Sequence, residues 1–371
     1  MRSRGLCVFV LLIVAAASGN GFAAASTPLP CGVYTGTIGA YAVVAEFCVA
    51  IPTRGGPALP GTVSGSYYYR KAGVSIDLNC SPQSDGTIRL DELVESHKSF
   101  SLVPSTDVWR VRARGDRIEG TWCHACAPGG DAASLDVRLV RIGALSSHPD
   151  DDDNDLYHQE TLAYPLSRSG THAAAGGITY VTVSDERYGV KTLELTSFPN
   201  ERARLAANRV LALDLRNDRT NAFDCLGDAR TSPSGSGYFA QTLTPSLVTV
   251  NLISLDERLT YFCGGPYPTT DDSRPITLDM RSGTVLAWTK ALSPDAQHRL
   301  LRRYSHLVKH TGCDLGATAL QEGGFQFWLT AAGLAVRPEF PHVIAVCNIV
   351  AVIPYAEARA LFSPGYRALL P

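Results

Sequence analysis

The sequence predicts an all-β, barrel-like N-terminal domain followed by an α+β C-terminal domain. Three observations support this fold class. The chain has 371 residues, more than the ~100–200 residues of a typical single domain. Short strand patterns separated by turn residues run from 31 to 143 without a helical period. After an acidic stretch at 144–159, helical patterns are segregated between antiparallel strand patterns from 160 to 371, which is typical of an α+β domain.

Residues 1–25 have the three parts of a secretory signal peptide. Arg2 and Arg4 form a basic region, Leu6–Ala17 is an apolar run, and Ala23-Ala24-Ala25 is a small-residue cleavage site. The run is too short to span a bilayer, and no later stretch has ~18 uninterrupted apolar residues. The sequence therefore predicts a periplasmic or secreted protein with no membrane span after cleavage.

The N-terminal domain reads as a meander of eight or nine short antiparallel strands. Turn residues such as Ser84-Asp85-Gly86 and Arg114-Gly115-Asp116 separate most of them. The candidate strands are Val33–Ile38, Tyr41–Ile51, Thr62–Tyr69, Val74–Cys80, Thr87–Leu93, Ser99–Leu102, Val108–Arg114, Arg117–Cys123 and Ser134–Arg141. Strands joined in sequence favour a closed barrel or a sandwich, because both limit exposed sheet edges.

The stretch 144–159 is predicted to be a solvated linker, since the acidic run Asp150–Asp155 offers little apolar surface to bury. A calcium loop is the alternative for this run. It lacks the sixth-position glycine and the closing glutamate of that motif. The linker interpretation is therefore preferred, and no metal site is predicted.

The C-terminal domain contains two helices that the sequence marks by their first residues. Asn200 caps a helix that begins at Glu201, and Ser293-Pro294 opens a second helix. A strand pair, Ile178–Val183 and Val190–Ser197, precedes the first helix. The stretch from Leu247 to Leu286 reads as a long strand, a Gly-Gly-Pro corner and a returning strand.

Ten cysteines include Cys7, which the signal peptide removes. The nine that remain are Cys31, Cys48, Cys80, Cys123, Cys126, Cys225, Cys263, Cys313 and Cys347. In an oxidising compartment most of them should form disulfides. The four C-terminal cysteines fit two bridges, whereas the five N-terminal ones leave one thiol over. We predict a Cys31–Cys48 bridge across a hairpin, and a bridge from Cys80 to one member of the Cys123/Cys126 pair.

No motif in the sequence predicts a catalytic residue, a metal site or a cofactor. His306 and His310 lie four apart on one helix but have no third ligand and no intervening glutamate. Cys123-His124-Ala125-Cys126 has redox spacing but follows a strand instead of opening a helix. No serine nucleophile elbow or phosphate loop is present. The chain is therefore expected to be non-enzymatic.

Two alternative functions depend on side chains whose proximity in the folded protein the sequence does not show. Tyr67, Tyr69, Trp109 and Trp122 are candidates for a ligand platform at the barrel mouth, which would suit a small-ligand carrier. A glycan-acting hydrolase would need two carboxylates facing each other across a cleft. The available carboxylates are Asp91, Glu92, Glu119, Asp256 and Glu257.

The C-terminal domain carries a family resemblance in a few ordered motifs. They are a glycine corner at Gly264-Gly265, the strand and turn Leu278-Asp279-Met280-Arg281-Ser282-Gly283, the turn from Phe327 to Leu334, and Ile353-Pro354-Tyr355 before a short helix. Through these motifs, the segment from about 178 to 370 resembles the C-terminal domain family shared by the anti-sigma factor RsiV and the peptidoglycan deacetylase PdaC. The resemblance implies an α+β fold without catalytic residues of its own.

The sequence and the resemblance together predict an exported cell-envelope binding protein. The resemblance implies lysozyme or a peptidoglycan-related molecule as a partner, because RsiV binds lysozyme with this type of domain. Loss of Arg2 and Arg4 with the signal peptide changes the formal net charge from −2 to −4, which would suit a cationic partner. The absence of a basic tract argues against nucleic acid as a partner.

Overall fold

The computed structural model describes residues 31–49, 63–95, 102–126, 134–145, 155–232, 236–264, 270–308, 313, 324–340 and 347–371. The predicted signal peptide, residues 150–154 of the acidic run, Gly265 and His310 lie outside this part of the chain. Within it, every helix is too short or too polar to cross a membrane.

Eight antiparallel strands form a closed barrel. They are β1 (Gly32–Ile38), β2 (Tyr41–Val49), β3 (Val63–Tyr69), β4 (Ile76–Pro82), β5 (Ile88–Glu95), β6 (Leu102–Arg114), β7 (Arg117–Cys123) and β8 (Ser134–Gly143). Each strand pairs with the next, and β8 returns to β1 with Val137 opposite Ile38. The barrel-like prediction is confirmed, and closure decides between the barrel and the sandwich.

Strand β6 contains the predicted strand Val108–Arg114 and extends back to Leu102, whereas residues 99–101 of the predicted strand Ser99–Leu102 lie outside the described residues. It runs through Pro104 and Asp107, and it pairs with β5 along both halves. The register shifts between Asp91 and Leu93, so a bulge in β5 lies between the two paired halves. Proline lacks a backbone N–H, and its position opposite Leu93 next to this bulge lets the strand continue.

Side chains fill the barrel interior. Successive residues of a strand point to opposite faces, so alternate positions of all eight strands meet inside. Tyr34, Phe47, Leu78, Leu90 and Trp109 are completely buried there. A small-ligand carrier would need an empty interior, and the described part of the barrel is packed with side chains instead.

The cysteine pairing differs from the prediction in the barrel. Cys123 is bonded to Cys126, and Cys80 is a buried free thiol. Strand β4 carries Cys80 and is separated from β7 by β5 and β6, so Cys80 is far from Cys123 along the barrel wall. Burial raises the pKa of the Cys80 thiol to about 11, which keeps it protonated.

Cys31 is disulfide-bonded. The side chain of Cys48 lies outside the described residues, so the Cys31–Cys48 bridge stays a prediction. The four C-terminal cysteines form two bridges, Cys225–Cys263 and Cys313–Cys347.

The end of the predicted linker is a helix, α1 (Leu156–Leu162). Asp155, the last residue of the acidic run, caps it by accepting a hydrogen bond from the His158 amide over 2.7 Å. Tyr157 is 2% exposed and packs against Tyr68 on the outer barrel wall. Packing of the Tyr157 ring therefore orders this end of the predicted linker, although the acidic composition of the linker favours a solvated segment.

A three-stranded sheet and a long helix follow. The sheet has the order β11 (Val190–Ser197), β10 (Ile178–Asp185), β9 (Ser167–Ala174), and β9 was not predicted. Helix α2 (Glu201–Arg230) begins after Asn200, whose side chain accepts from the Ala203 amide as expected. Its 30 residues run from this sheet to the barrel wall, where Phe223 contacts Tyr68.

Helix α2 also packs on a second sheet, formed by β12 (Tyr238–Val248), β13 (Leu252–Phe262), β14 (Thr270–Ser273), β15 (Ile276–Asp279) and β16 (Thr284–Val285). Ala207 and Leu211 of α2 share a core with Leu195, Ile253 and Leu278. The Cys225–Cys263 bridge ties the end of α2 to the segment after β13. Buried carboxyl groups of α2 are thereby held against this sheet.

The last core lies around helix α4 (Ala296–Val308), which follows α3 (Trp288–Ala291). It includes β17 (Phe325–Leu329), β18 (Gly333–Pro338), β19 (Ala351–Pro354), α5 (Tyr355–Ala358), a 3-10 turn at Arg359–Leu361, and α6 (Pro364–Arg367). Helix α4 begins at Ala296, two residues after Pro294 of the predicted Ser293-Pro294 start, and Leu292 just before this start forms a β-bridge with Phe362. These helices and antiparallel strands confirm the α+β class.

Candidate functional site

The four residues of the predicted aromatic platform lie in the barrel core or against it. Tyr67 and Trp109 are buried, and their ring centroids are 4.8 Å apart. Tyr69 and Trp122 are half-buried beside them. Tyr68 points to the outer face, where α1 and α2 cover it completely. The structure therefore brings the four platform residues together, with two of them packed as core.

A buried carboxylate, Glu92, organises this aromatic group. It is 2% exposed and accepts hydrogen bonds from the Tyr67 hydroxyl and, over 2.9 Å, from the Trp122 indole N–H. Arg230 at the end of α2 approaches it to 3.5 Å. These donors satisfy the charge that burial would otherwise make costly. Glu92 thus links the barrel to α2.

Three carboxyl groups lie together between α2 and the second sheet. Asp214 and Asp218 come from α2 and Glu257 comes from β13, with oxygen atoms within 4.8 Å of one another. The Gln241 amide nitrogen donates to Asp218 and to Glu257, each over 2.8 Å. Arg274 also contacts Asp218 and Glu257. We call these five residues the carboxyl cluster.

The carboxyl cluster holds a proton near neutral pH. Burial, and then the neighbouring Asp214 and Asp218, raise the pKa of Glu257 to about 8. Burial and Asp218 raise the pKa of Asp214 to about 6. Oxygen ligands of this kind also suit a hard cation. However, Gln241 and Arg274 already donate to both Asp218 oxygens and to Glu257 Oε1, and the Arg274 guanidinium supplies positive charge there. Glu257 Oε2 has no hydrogen-bond partner among the described residues, so a proton on Glu257 fits the cluster better.

A cavity of about 250 Å³ lies where the barrel meets α1 and the end of α2. We call it the acidic pocket. Its lining residues are Glu46, Ser75, Asp77, Tyr157, His158, Phe223, Asp224, Gly227, Asp228 and Thr231. Four of these are carboxylic acids. They come from strands β2 and β4 and from helix α2, so the pocket exists only when the barrel and the helix pack together.

His158 is the cationic residue among the lining side chains. Its ring nitrogens lie 3.0 Å from Asp155 and 3.0 Å from Asp224. Burial opposes protonation, but these two carboxylates outweigh it and raise the pKa of His158 to about 10. The charge of His158 is therefore shared between Asp155 and Asp224. Glu46, Asp77 and Asp228 add negative charge to the same pocket.

The pocket has an aromatic floor and a charged rim. Tyr157 and Phe223 are buried at 2% exposure each, and their ring centroids are 5.8 Å apart. Asp224 and Asp228 are exposed at the rim, whereas Asp77 is half-buried and accepts from Ser66 over 3.0 Å. Burial raises the pKa of Asp77, although the Ser66 hydrogen bond opposes this. Carboxylates above aromatic rings suit a guanidinium or ammonium group.

The five carboxylates considered for a hydrolase do not meet across a cleft in the described residues. Asp91 is paired with Arg89, and Asp256 with Arg258. Glu92 and Glu257 are buried in the separate groups above, and Glu119 is exposed on the barrel. None of them lines the acidic pocket or the other cavity beside α2.

The family-motif residues hold turns and packing contacts. Gly264 has φ +80°, and a Cβ there would collide with Ser232. Gly283 has φ +75°, and a Cβ there would collide with the carbonyl oxygen of Ala203 on α2. Only glycine tolerates both the backbone angle and the close approach.

The other motif positions act in the same structural way. Leu278 is fully buried, and Asp279 accepts hydrogen bonds from the backbone and side chain of Arg281. Pro354 ends β19, and the hydroxyl of Tyr355 donates to the Thr330 carbonyl over 2.7 Å. The described motif residues thus hold turns and packing contacts of the fold.

Comparisons with known proteins found similarity among solved structures alone. No protein-family model matches the chain, and no curated protein does. A solved DUF3298 family protein from Pseudomonas aeruginosa PAO1 is 14% identical with a TM-score of 0.35, and the match covers 56% of this chain and 96% of that one. A DUF3298 family member from Bacteroides fragilis NCTC 9343 is 11% identical with a TM-score of 0.34, covering 54% and 92%.

About half of the chain matches DUF3298 family proteins. This is the RsiV and PdaC C-terminal domain family that the sequence motifs resemble.

The acidic pocket was not predicted from the sequence. Asp224 and Asp228 are four residues apart, so they lie on one face of a helix, and this spacing was the available signal. Glu46 and Asp77 lie in barrel strands, and the sequence does not show that these strands pack against that helix. The helical spacing therefore indicates two of the four pocket carboxylic acids, and nothing in the sequence indicates the other two.

Proposed function

We propose that this chain is an exported, non-enzymatic binding protein whose acidic pocket receives a basic side chain of a cationic partner protein. One observation carries the proposal. Four carboxylic acids from two barrel strands and α2 converge on one cavity with an aromatic floor. The predicted signal peptide and the disulfides support export.

The size and charge of the pocket favour a side chain over a free small molecule. Its volume of about 250 Å³ is below the range of roughly 300–1,000 Å³ that ligand pockets usually have. Glu46, Asp77, Asp224 and Asp228 offer carboxylates, and His158 offsets part of their charge. A guanidinium group can donate to two carboxylates at once and stack on an aromatic ring.

The partner class follows from the family resemblance together with this charge. RsiV binds lysozyme, and C-type lysozyme is a basic protein. The mature chain has a formal net charge of −4, so long-range attraction would favour the encounter. We therefore propose a lysozyme-like protein as the partner, with the acidic pocket as an anchor point for one of its basic side chains.

The test is binding of mature 26–371 to immobilised C-type lysozyme across a salt series. We expect saturable binding that survives ~0.15 M salt, where the Debye length is about 8 Å and distant charges are screened. The double substitution Asp224→Asn and Asp228→Asn should weaken binding by at least about tenfold, or 1.4 kcal/mol. Asp116→Asn, an exposed barrel carboxylate away from the pocket, should leave the affinity unchanged.

Two results would count against the proposal. Binding that disappears at ~0.15 M salt would reflect only net charge. Equal binding by the double variant and by Asp116→Asn would move the contact away from the acidic pocket. No observation in the described residues favours the hydrolase or the barrel carrier as a second candidate.

A further inference from the structure

The outer wall of the barrel carries a group of arginines on strands β5, β6, β7 and β8. Trp109, Val111 and Ile118 of these strands belong to the barrel core. Since successive residues of a strand point to opposite faces, the residues between core positions point outward. The outward-facing arginines are Arg89, Arg110, Arg112, Arg114, Arg117 and Arg138. We call this surface the arginine face.

Two pairs of these arginines lie directly opposite each other on neighbouring strands. Arg114 is opposite Arg117 at the end of the β6–β7 hairpin, and Arg110 is opposite Arg89 of β5. Like charges in directly opposite positions destabilise a sheet, because their Cβ atoms are only about 4.5–5.5 Å apart. An exposed strand position accepts many polar residues, so the free protein gains nothing from these pairs. Their presence indicates an anionic partner that offsets the repulsion.

The carboxylates near the arginine face already lie beside other arginines. The pairs are Asp91 with Arg89, Asp136 with Arg138 and Asp116 with Arg141, and Asp85 lies beside Arg112. Glu119 stands in register between Arg112 and Arg138. Arg110, Arg114 and Arg117 are exposed, and they form no ion pair within the described part of the chain. Three guanidinium groups are therefore left for an external anion.

Two exposed aliphatic side chains lie beside these arginines. Val140 of β8 is directly opposite Arg117, and it is 48% exposed. Ile142, two residues further along β8, is 39% exposed. A soluble polyanion would leave both side chains in water. A bilayer surface offers phosphate groups to the arginines, and it offers the boundary between headgroups and acyl chains to the aliphatic side chains.

The arginine face lies on the side of the barrel away from the C-terminal half. In the closed ring of eight strands, β6 and β7 are across from β2 and β3. The outer side of β2 and β3 packs against α1 and α2 through Val44 and Tyr68. The six arginines line neither the acidic pocket nor the cavity beside α2. The arginine face is thus a convex surface that suits an extended partner better than a small molecule.

We infer that the arginine face binds the surface of a bilayer that contains anionic phospholipids. Arg110, Arg114 and Arg117 pair with lipid phosphate groups, which a guanidinium can contact through two N–H donors. Val140 and Ile142 enter the boundary between headgroups and acyl chains. The lipid phosphates offset the repulsion between Arg114 and Arg117. The acidic pocket then faces away from the bilayer.

Co-sedimentation of mature 26–371 with lipid vesicles tests the inference. The vesicles are phosphatidylcholine with about one third phosphatidylglycerol, at ~0.05 M salt so that surface charges are only partly screened. We expect binding to these vesicles and none to pure phosphatidylcholine. The triple variant Arg110→Gln, Arg114→Gln, Arg117→Gln should bind at least about tenfold more weakly, because each arginine near an anionic surface contributes to binding.

A matched control separates the arginine face from net charge. Arg202→Gln, Arg209→Gln and Arg302→Gln together remove the same three charges from exposed positions on α2 and α4. This helix variant should bind the vesicles like the wild type. Val140→Ser leaves the charge unchanged and should weaken vesicle binding severalfold, because it removes an aliphatic contact with the bilayer.

Thermal unfolding of the triple variant without vesicles is the second measurement. Replacing Arg110, Arg114 and Arg117 relieves both like-charge contacts, so the unfolding midpoint at low salt should rise by roughly 1–2 °C. The rise should shrink in ~1 M salt, where the repulsion is screened. A midpoint below that of the wild type would show that these arginines stabilise the barrel, and it would overturn the argument for an anionic partner.

The vesicle experiment has its own contrary outcomes. Equal binding by the wild type and the triple variant, or equal weakening in the helix variant, would overturn the inference. Equal binding to pure phosphatidylcholine would show that the negative surface charge is not recognised. Binding of soluble polyphosphate without binding to vesicles would assign the arginine face to a soluble polyanion. Lysozyme binding by the triple variant should match the wild type, because the acidic pocket lies elsewhere.

Discussion

Replacing Asp185 with asparagine should destabilise the protein by about 3–5 kcal/mol. Asp185 is fully buried at the end of β10 and accepts hydrogen bonds from Arg187 over 2.6 Å and from Arg219 over 2.7 Å. The two arginine side chains are 2% and 6% exposed. Removing the carboxylate would leave two buried guanidinium groups without a counter-charge, which is costlier than losing an exposed ion pair.

The position of this network makes its loss global. Arg219 also donates to the carbonyl of Leu162 at the end of α1 and to that of Tyr164 just after α1, and Arg187 donates to the carbonyl of Arg70 on the barrel. The network thus joins the barrel, α1, the first sheet and α2. Disrupting the network should therefore weaken the packing around Asp185 and also the contact between the barrel and the C-terminal half.

Urea denaturation followed by tryptophan fluorescence would measure the change in the free energy of unfolding. Asp136→Asn is the control, since Asp136 and Arg138 form an exposed pair and the change should stay within about 0.5 kcal/mol. A loss below about 1 kcal/mol in Asp185→Asn would show that the buried arginines find other partners.

The pH dependence gives a second readout for Asp185. Burial tends to raise the pKa of its carboxyl, but Arg187 and Arg219 outweigh burial and lower it. A lowered folded-state pKa contributes stability above the ordinary value of about 3.9, and this stability is lost as pH falls through the folded pKa. The wild type should therefore lose stability in acid through this group, and Asp185→Asn should lack that component.

Glu257→Gln should make the protein more stable at alkaline pH and flatten its pH profile. The folded-state pKa of Glu257, about 8, lies above the ordinary value of about 4.3. Stability from a raised pKa is complete below the ordinary value and is lost as pH rises through the folded pKa. Between pH 5 and 8.5 this component should cost the wild type on the order of 3 kcal/mol.

Glutamine suits this position because it has the shape of a protonated glutamate. Its carbonyl oxygen can accept from Gln241 and Arg274, and its amide can donate to Asp214 or Asp218. It carries no charge at any pH, so the alkaline loss disappears. A smaller slope near pH 6 should remain from Asp214.

Unfolding midpoints in urea at pH 5, 7 and 8.5 would test this prediction. Glu357→Gln, on an exposed carboxylate that pairs with Arg303, is the matched control and should follow the wild-type profile. If Glu257→Gln loses stability with pH as steeply as the wild type, the proton is not held by Glu257. If it is less stable than the wild type at pH 8.5, the cluster needs the ionised carboxylate.

Local sequence features predicted much of the fold and little of the binding surface. Turn residues such as Gly86 and Gly115, both at positive φ, separate strands that the structure confirms. Asn200 predicted the start of α2. The length of α2 was not predicted from its N-cap, and its second half carries Asp218, Cys225 and Asp228. Contacts with the sheets and the barrel stabilise this part of α2.

The sequence by itself determined the barrel strands, the α+β half and the fact that the four C-terminal cysteines form two disulfides. Alternation, turn chemistry and caps are local, so they can be read without knowing what packs against them. Tertiary structure alone decided that Cys80 stays free, that Asp155 caps a helix, and that Glu257 keeps a proton. It also assembled the acidic pocket from residues between 46 and 231. Burial and charge depend on neighbours that are distant in sequence, and only packing brings those neighbours together.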